Sequence, residues 1–203
     1  MPDVGVENIK INYKNKKVGG KIKLVWVGRI DKIKCLDIII NCFYLNPILQ
    51  KNIELSIIGD GILYKHFVNY SIDKKIKNLK WFGKIDRKDV LEEMSKSDIL
   101  IHTSIKEASA TVIIEALTIG LPVICHDAFG MSNIINDKVG FKISYESKSK
   151  STEEISTILK KIIKDKQLII NMSQNIPSHL SQFKYEKLAE KIYKSYENCI
   201  NSL

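Results

Sequence analysis

The sequence predicts an α/β fold: a doubly wound parallel sheet of about six strands with helices on both faces. Short apolar runs alternate with longer amphipathic ones along most of the 203 residues. The short runs are apolar almost throughout, as strands covered on both faces must be. Each leads into a helical pattern rather than a hairpin turn, which is the βαβ signature.

KIKLVWVG gives the first strand, with an unbroken apolar stretch from Leu24 to Val27. LDIIINCFYLNPIL follows as a helix expected to end near Pro47, since proline breaks a helix interior. IELSIIG is a strand, ILYKHFVNYSIDKKI a helix and NLKWFG a strand. DRKDVLEEMSKS opens on an aspartate in the capping position and continues as a helix. DILIHTS is a strand, ATVIIEALTIG a helix ending at Gly120, and LPVICHD another strand. STEE from Ser151 has capping-box spacing and predicts a helix start there, with Ile155, Ile158, Leu159, Ile162 and Ile163 on one face. After NIPSHLSQ a last helix carries Tyr185, Leu188, Ala189, Ile192, Tyr193 and Tyr196. No repeat, linker or second core interrupts this order, so residues 21–180 form one domain and 181–203 its C-terminal helix.

Composition narrows the function classes. No apolar run approaches the roughly 20 residues that span a bilayer. MPDVGVENIK lacks the basic-then-apolar layout of a secretory signal, so a cytoplasmic location is expected. Cys35, Cys42, Cys125 and Cys199 form no CxxC pair and have no histidine at ligand spacing, which predicts buried thiols and no metal site. The net charge of +9 suits anionic partners. Much of the lysine, however, is spread as on solvated helix faces, in KKIIKDK and KYEKLAEKIYKSYEN. Charge alone therefore does not select a partner, and nucleic acid is not expected.

In doubly wound sheets ligands bind beyond the carboxyl ends of the strands. Three loops there carry candidate residues. VGRIDKIKCLD brings Arg29 and Lys34 to a helix start, an arrangement open both to phosphate binding and to plain solvation of two cations. In the second, Phe82, Gly83 and Lys84 end a strand where glycine permits close backbone approach or a simple turn. Third, Glu107 and Glu115 flank a helix start near Ala110. Ser104 and Glu107 have capping-box spacing, so a cap explains Glu107 in isolation but not Glu115. The small residues Ala108, Ser109 and Ala110 leave backbone N–H groups accessible to an anion. Paired carboxylates there suit sugar or ribose hydroxyls. GxGxxG and Walker A sequences are absent, which disfavours hydride transfer and P-loop hydrolysis. His66, His102, His126 and His179 have no nucleophile or acid at a recognisable spacing. His102 and His126 fall at strand ends, and packing is the simpler role for both.

Taken in order, these segments resemble glycosyltransferase family 4, the retaining group 1 enzymes of the two-domain GT-B fold. VGRIDKIKCLD looks like the family's GR-x4-K-G-x-D segment, with Cys35 in the glycine position. LSIIGDG resembles the next strand and turn, EASATVIIEA the E-x7-E motif, GLPVICHDAFGMSNIINDKVGF the segment after it, and FKYEKLAEKIYKSYE the terminal helix. EASATV lacks the glycine common after the first glutamate, and Asn133 replaces a frequent acidic residue. MPDVGVE loosely resembles an interdomain linker, which makes residues 1–20 a linker remnant and the rest the C-terminal, Rossmann-like, donor-binding half. The resemblance implies that Arg29 and Lys34 bind the diphosphate of a UDP-, GDP- or ADP-sugar. It gives Glu107 the donor-sugar hydroxyls and Glu115 the ribose. Backbone at Ser109, Ala110 and Thr111 would meet the phosphate or sugar, and that at Phe82, Gly83 and Lys84 the base. It further implies catalysis without a metal, by Glu107, Arg29 and Lys34, once an N-terminal acceptor-binding domain closes the cleft. The expected roles are hexosyl transfer in bacterial surface polysaccharide or glycolipid synthesis and peripheral association with the inner membrane face. The alternative is a non-catalytic nucleotide-sugar-binding or scaffolding module.

Overall fold

The computed structural model describes residues 19–106, 111–128 and 130–183, with the isolated positions 189, 193, 194, 196, 197 and 200. Its six strands are β1 (Ile22–Val27), β2 (Ile53–Ile58), β3 (Leu79–Gly83), β4 (Ile99–His102), β5 (Val123–His126) and β6 (Gly140–Ile143). All pair in parallel, in the order β3-β2-β1-β4-β5-β6. The helices are α1 (Leu36–Leu45), α2 (Pro47–Asn52), α3 (Tyr64–Asp73), α4 (Arg87–Ser95), α5 (Thr111–Thr118), α6 (Met131–Ile134), α7 (Lys148–Lys164) and α8 (Gln167–Leu180).

Period-two alternation along the strands divides the core into two layers. Ile22, Leu24 and Trp26 of β1 face one side, with Ile53, Leu55 and Ile57 of β2 and residues of α1, α3 and α7. Val25 faces the other, with Leu100, Val123, Met94, Ile113, Leu117 and Ile176. Burying each such side chain contributes about 1.5–3 kcal/mol. Helix α1 lies between the sheet and α7, so Leu36, Ile38, Ile39, Ile40, Cys42 and Phe43 are all buried. Cys35, Cys42 and Cys125 are buried free thiols as expected, and burial pushes those of Cys42 and Cys125 up to about 12. Cys199 lies outside the described residues.

Several boundaries differ from the sequence expectation. Pro47 does not simply end α1: it opens α2 at its first turn, where a missing N–H costs nothing. Asp86 occupies the N-cap of α4, but its side chain makes no capping bond. Helix α7 begins at Lys148 rather than Ser151, because Ser147 is the residue whose hydroxyl accepts from Lys150 N–H. Ser151 and Glu154 are released from capping and bond elsewhere. Helix α8 runs through NIPSHL with Pro177 inside it, a stretch whose proline reads as a break in sequence. The terminal helix expected around Tyr185 falls mostly outside the described residues, as do residues 1–18 of the linker remnant.

The loops after β1 and β2 meet through backbone. Gly28 N–H donates to Ile58 O at 3.0 Å and Ile30 N–H to Asp60 O at 2.9 Å. Gly59 has a φ of 135°, and a Cβ there would sit 1.9 Å from the Gly28 oxygen. Both strain and clash fall on backbone that cannot move without breaking these bonds. Gly59→Ala is therefore expected to destabilise the domain by about 3 kcal/mol or more in urea unfolding. Gly19→Ala, with open space around the added atom, stays within about 0.5 kcal/mol.

Candidate functional site

The order of the sheet reverses between β1 and β4, whose following helices α1 and α5 cover opposite faces. A crevice opens at such a switch point, bounded by the two strand-to-helix loops. On the β1 side Asp31 organises the chain. Its Oδ1 accepts the N–H groups of Ile33 and Lys34 at 2.9 and 3.0 Å, and its Oδ2 takes the Arg29 Nε–H at 2.5 Å. Burial works against its charge, but the bonds from Arg29, Lys34 and Ile33 outweigh it and hold the pKa below the usual value. Arg29 extends outward, 70% exposed. Cys35, in the family's glycine position, takes a left-handed conformation (φ 48°, ψ 47°) at the start of α1. That conformation costs a residue with a Cβ about 1–2 kcal/mol, which explains why glycine is the ordinary choice. Cys35 is buried there and its thiol donates to Lys32 O at 3.1 Å.

A buried relay joins this loop to the one after β4. Trp26 Nε1–H donates to Thr103 Oγ1 at 2.9 Å, and the Thr103 hydroxyl donates to Lys34 O at 2.8 Å. Ile105 N–H donates to Ile33 O at 3.0 Å. The loop carrying Arg29 and Lys34 is thus fixed to the segment that leads to Glu107. Glu107, Ser109 and Ala110 themselves lie outside the described residues. The Ser104 hydroxyl lies 3.5 Å from Ile33 O.

Across the crevice Glu115 sits in α5, with its carboxylate 21% exposed and Oε1 2.7 Å from Arg87 Nη2. Arg87 begins α4, four residues after Gly83, so the ion pair ties α5 to the loop of Phe82, Gly83 and Lys84. The Phe82 ring packs into the core, leaving this loop's backbone and the exposed Lys84 toward solvent. Gly83 has a φ of 66° and its carbonyl accepts from Gly59 N–H at 2.8 Å. A hollow of about 400 Å³ lies beside it, lined by Asp60, Gly61, Ile62, Tyr64, Lys65 and Gly83. Thr111 is the exposed first residue of α5. Arg87 and Thr103 escape the sequence reading, since neither belongs to a recognisable motif. Asp31 had a usable signal: an aspartate two and three residues before its amide partners is an Asx-turn pattern.

A parallel six-stranded sheet in this order, with helices on both faces, is the architecture of one half of a GT-B glycosyltransferase. The chain belongs to the group 1 glycosyl transferases, whose family model matches residues 8–179. Over 149 residues it is 29% identical to an uncharacterized 41.2 kDa protein of the cps region of Klebsiella pneumoniae, covering 73% of this chain and 40% of that one. It is 27% identical to CapJ of Staphylococcus aureus, covering 97% of this chain and 50% of CapJ. The chain thus spans half or less of these curated relatives. Among solved structures, WaaG, a glycosyltransferase involved in lipopolysaccharide biosynthesis, superposes with a TM-score of 0.72 at 25% identity, over 86% of this chain and 46% of WaaG. HepE of Anabaena with UDP and glucose superposes with a TM-score of 0.70 at 20% identity, over 88% of this chain and 49% of HepE, which shows the shared fold. Among the described residues no helix is long and apolar enough to cross a membrane.

Two buried histidines set the acid response. Burial is the main cause holding His126 and His179 below the ordinary histidine value. Their unfolded-state values lie near 6.5. As pH falls through that value the unfolded chain takes up protons first. Their contribution to stability is therefore complete above it and declines toward acid. The urea midpoint is expected to drop between about pH 7.5 and pH 5.5, and to drop less in His126→Asn.

Proposed function

We propose that this chain is the donor-binding half of a retaining glycosyltransferase that uses a nucleotide-diphosphate sugar. The observation that carries the reading is the charge division across the crevice: Arg29 and Lys34 on the β1 loop, Glu115 on α5 held at the Phe82–Lys84 loop by Arg87. Family membership supports it, as does HepE, a chain of the same fold in complex with UDP and glucose.

In this reading the base meets backbone at Phe82, Gly83 and Lys84, and Glu115 accepts hydrogen bonds from ribose hydroxyls. Arg29, Lys34 and backbone amides of Ser109, Ala110 and Thr111 receive the diphosphate at the start of α5. Glu107 takes donor-sugar hydroxyls. When the anomeric C–O bond breaks, the electron pair stays with the departing diphosphate. Fixed cations stabilise that extra charge without reorganising, and no metal is required of the site. Removing one such contact costs about 3 kcal/mol of transition-state stabilisation. Asp31 preorganises the cations by fixing the loop and one edge of the Arg29 guanidinium.

The acceptor is held by an N-terminal domain, and the product is a bacterial surface polysaccharide or glycolipid made at the inner membrane face. The named roles of the relatives, WaaG in lipopolysaccharide biosynthesis among them, support that assignment. Thermal unfolding with UDP, GDP and ADP tests the donor half directly. One nucleotide is expected to raise Tm, and Glu115→Ala to weaken its binding about tenfold, as loss of a charged hydrogen bond requires. Arg29→Ala is expected to weaken the nucleoside diphosphate more than the nucleoside. A folded wild type unresponsive to all three would refute the reading. Transfer on supplying a matching N-terminal half would exclude the non-catalytic alternative.

A further inference from the structure

His126 ends β5 with no exposed surface. Its Nδ1 lies 3.1 Å from the Ser104 carbonyl oxygen, a group that only accepts, so Nδ1 carries the proton and donates. Its Nε2 lies 2.9 Å from Ser151 Oγ, whose hydroxyl donates to the neutral ring. Ser151 sits one turn inside α7, where it caps nothing. Glu154, also on α7, accepts from the Ser144 amide at 2.8 Å and from its hydroxyl at 2.5 Å, fixing the chain after β6 beside the ring. Tyr145 meets the imidazole edge-on at 5.3 Å. Burial, the largest cause, and the neighbouring His102 on β4 disfavour a charge on the ring, the bond to Ser104 O and Glu154 favour it, and the balance holds its pKa below the ordinary histidine value. One side chain thus joins α7 to the segment between β4 and Glu107.

That segment is short and held at both sides. Ile105 and Thr103 bind it to the β1 loop through Ile33 and Lys34. Ser104 O turns the opposite way and finds its partner on His126. A buried carbonyl without a donor would destabilise the local path of the chain, so the histidine determines where the segment runs.

We propose that His126 is a positioning residue for donor-sugar recognition: its Nδ1–H bond to Ser104 O locks the segment leading to Glu107 against the Lys34 loop. The role of Glu107 in this inference rests on the nucleotide-sugar reading above. The bond itself does not, which lets the two be tested apart.

Three substitutions separate positioning from packing. In His126→Asn the amide nitrogen occupies the place of Nδ1 and still donates to Ser104 O. His126→Gln reaches instead toward Ser151, and His126→Ala loses both bonds. Amide hydrogen exchange in the ligand-free chain is the first measurement. Ala and Gln are expected to speed exchange at residues 104–106 about tenfold, and Asn less than about threefold, with β1 amides unchanged in all three. Affinity for UDP and UDP-glucose is the second. UDP-glucose binding falls about fivefold in Ala and Gln and recovers in Asn, while UDP binding changes less than about twofold. Unchanged exchange in Ala, or Gln rescuing as well as Asn, overturns the inference whatever the ligand data. A wild type that binds none of UDP, GDP and ADP overturns the donor reading and the sugar-recognition role with it, and where GDP or ADP is the one bound, that nucleotide and its glucose conjugate replace the UDP pair. Equal losses of UDP and UDP-glucose in Ala assign His126 to general stability and overturn the proposal.

Discussion

The buried hydroxyl of Thr103 is the joint on which the site depends. It accepts from Trp26 and donates to Lys34 O, so a core side chain, a loop from one strand and a loop from another share one oxygen. Trp26 cannot be buried without a partner for its indole N–H, and Lys34 O cannot be half-buried without a donor. Threonine satisfies both, where valine of nearly equal shape would satisfy neither. The consequence is functional. The β1 loop is not a flexible connection that happens to carry two cations; it is pinned to the strand on the far side of the switch point.

The two sides of the crevice are held by different physics. On the β1–β4 side the side-chain bonds that join the two loops are neutral and wholly or partly buried, and contribute to stability and position alike. On the α4–α5 side the Arg87–Glu115 pair joins a carboxylate at 21% exposure to a cation at 78%. Such a pair contributes under about 1 kcal/mol to folding, because solvent screens it and two side chains lose freedom. Its value lies in orientation, since a carboxylate fixed on one oxygen presents the other in a defined direction. The crevice therefore has a rigid side at the β1 loop and a more compliant side at α5.

Much of this was legible in the sequence, for reasons that separate cleanly. The strands are legible because burial on both faces demands continuous apolar runs, and the switch-point crevice follows from their order. Arg29, Lys34 and Glu115 are legible because charge in a loop or on a helix start is visible by residue type. Ser151 was misread because a capping box describes spacing, and the same spacing arises when Ser151 and Glu154 bond to His126 and Ser144. Ser147 supplied the true cap four residues earlier. Thr103 and Arg87 were invisible because their partners lie 69 and 28 residues away in sequence. Local pattern cannot report a contact that only the closed sheet creates. Helix α8 was hidden by Pro177, where tertiary packing of Ile176 and Leu180 overrides a local breaker.

Cys35 shows how strain and function are balanced at this site. A glycine there would adopt the left-handed turn freely but would leave the loop more mobile before binding. Cysteine bears the cost of that backbone, and in return fills a fully buried position and bonds Lys32 O. Its neighbours then decide the outcome: Asp31 fixes the two residues ahead of it, and Asp37, two residues behind, is paired with Lys148 of α7 at 2.8 Å. With both flanks anchored, the strained residue has no alternative conformation to relax into. The left-handed backbone that a glycine would adopt freely is here held at a cysteine by anchored flanks, directly after Lys34.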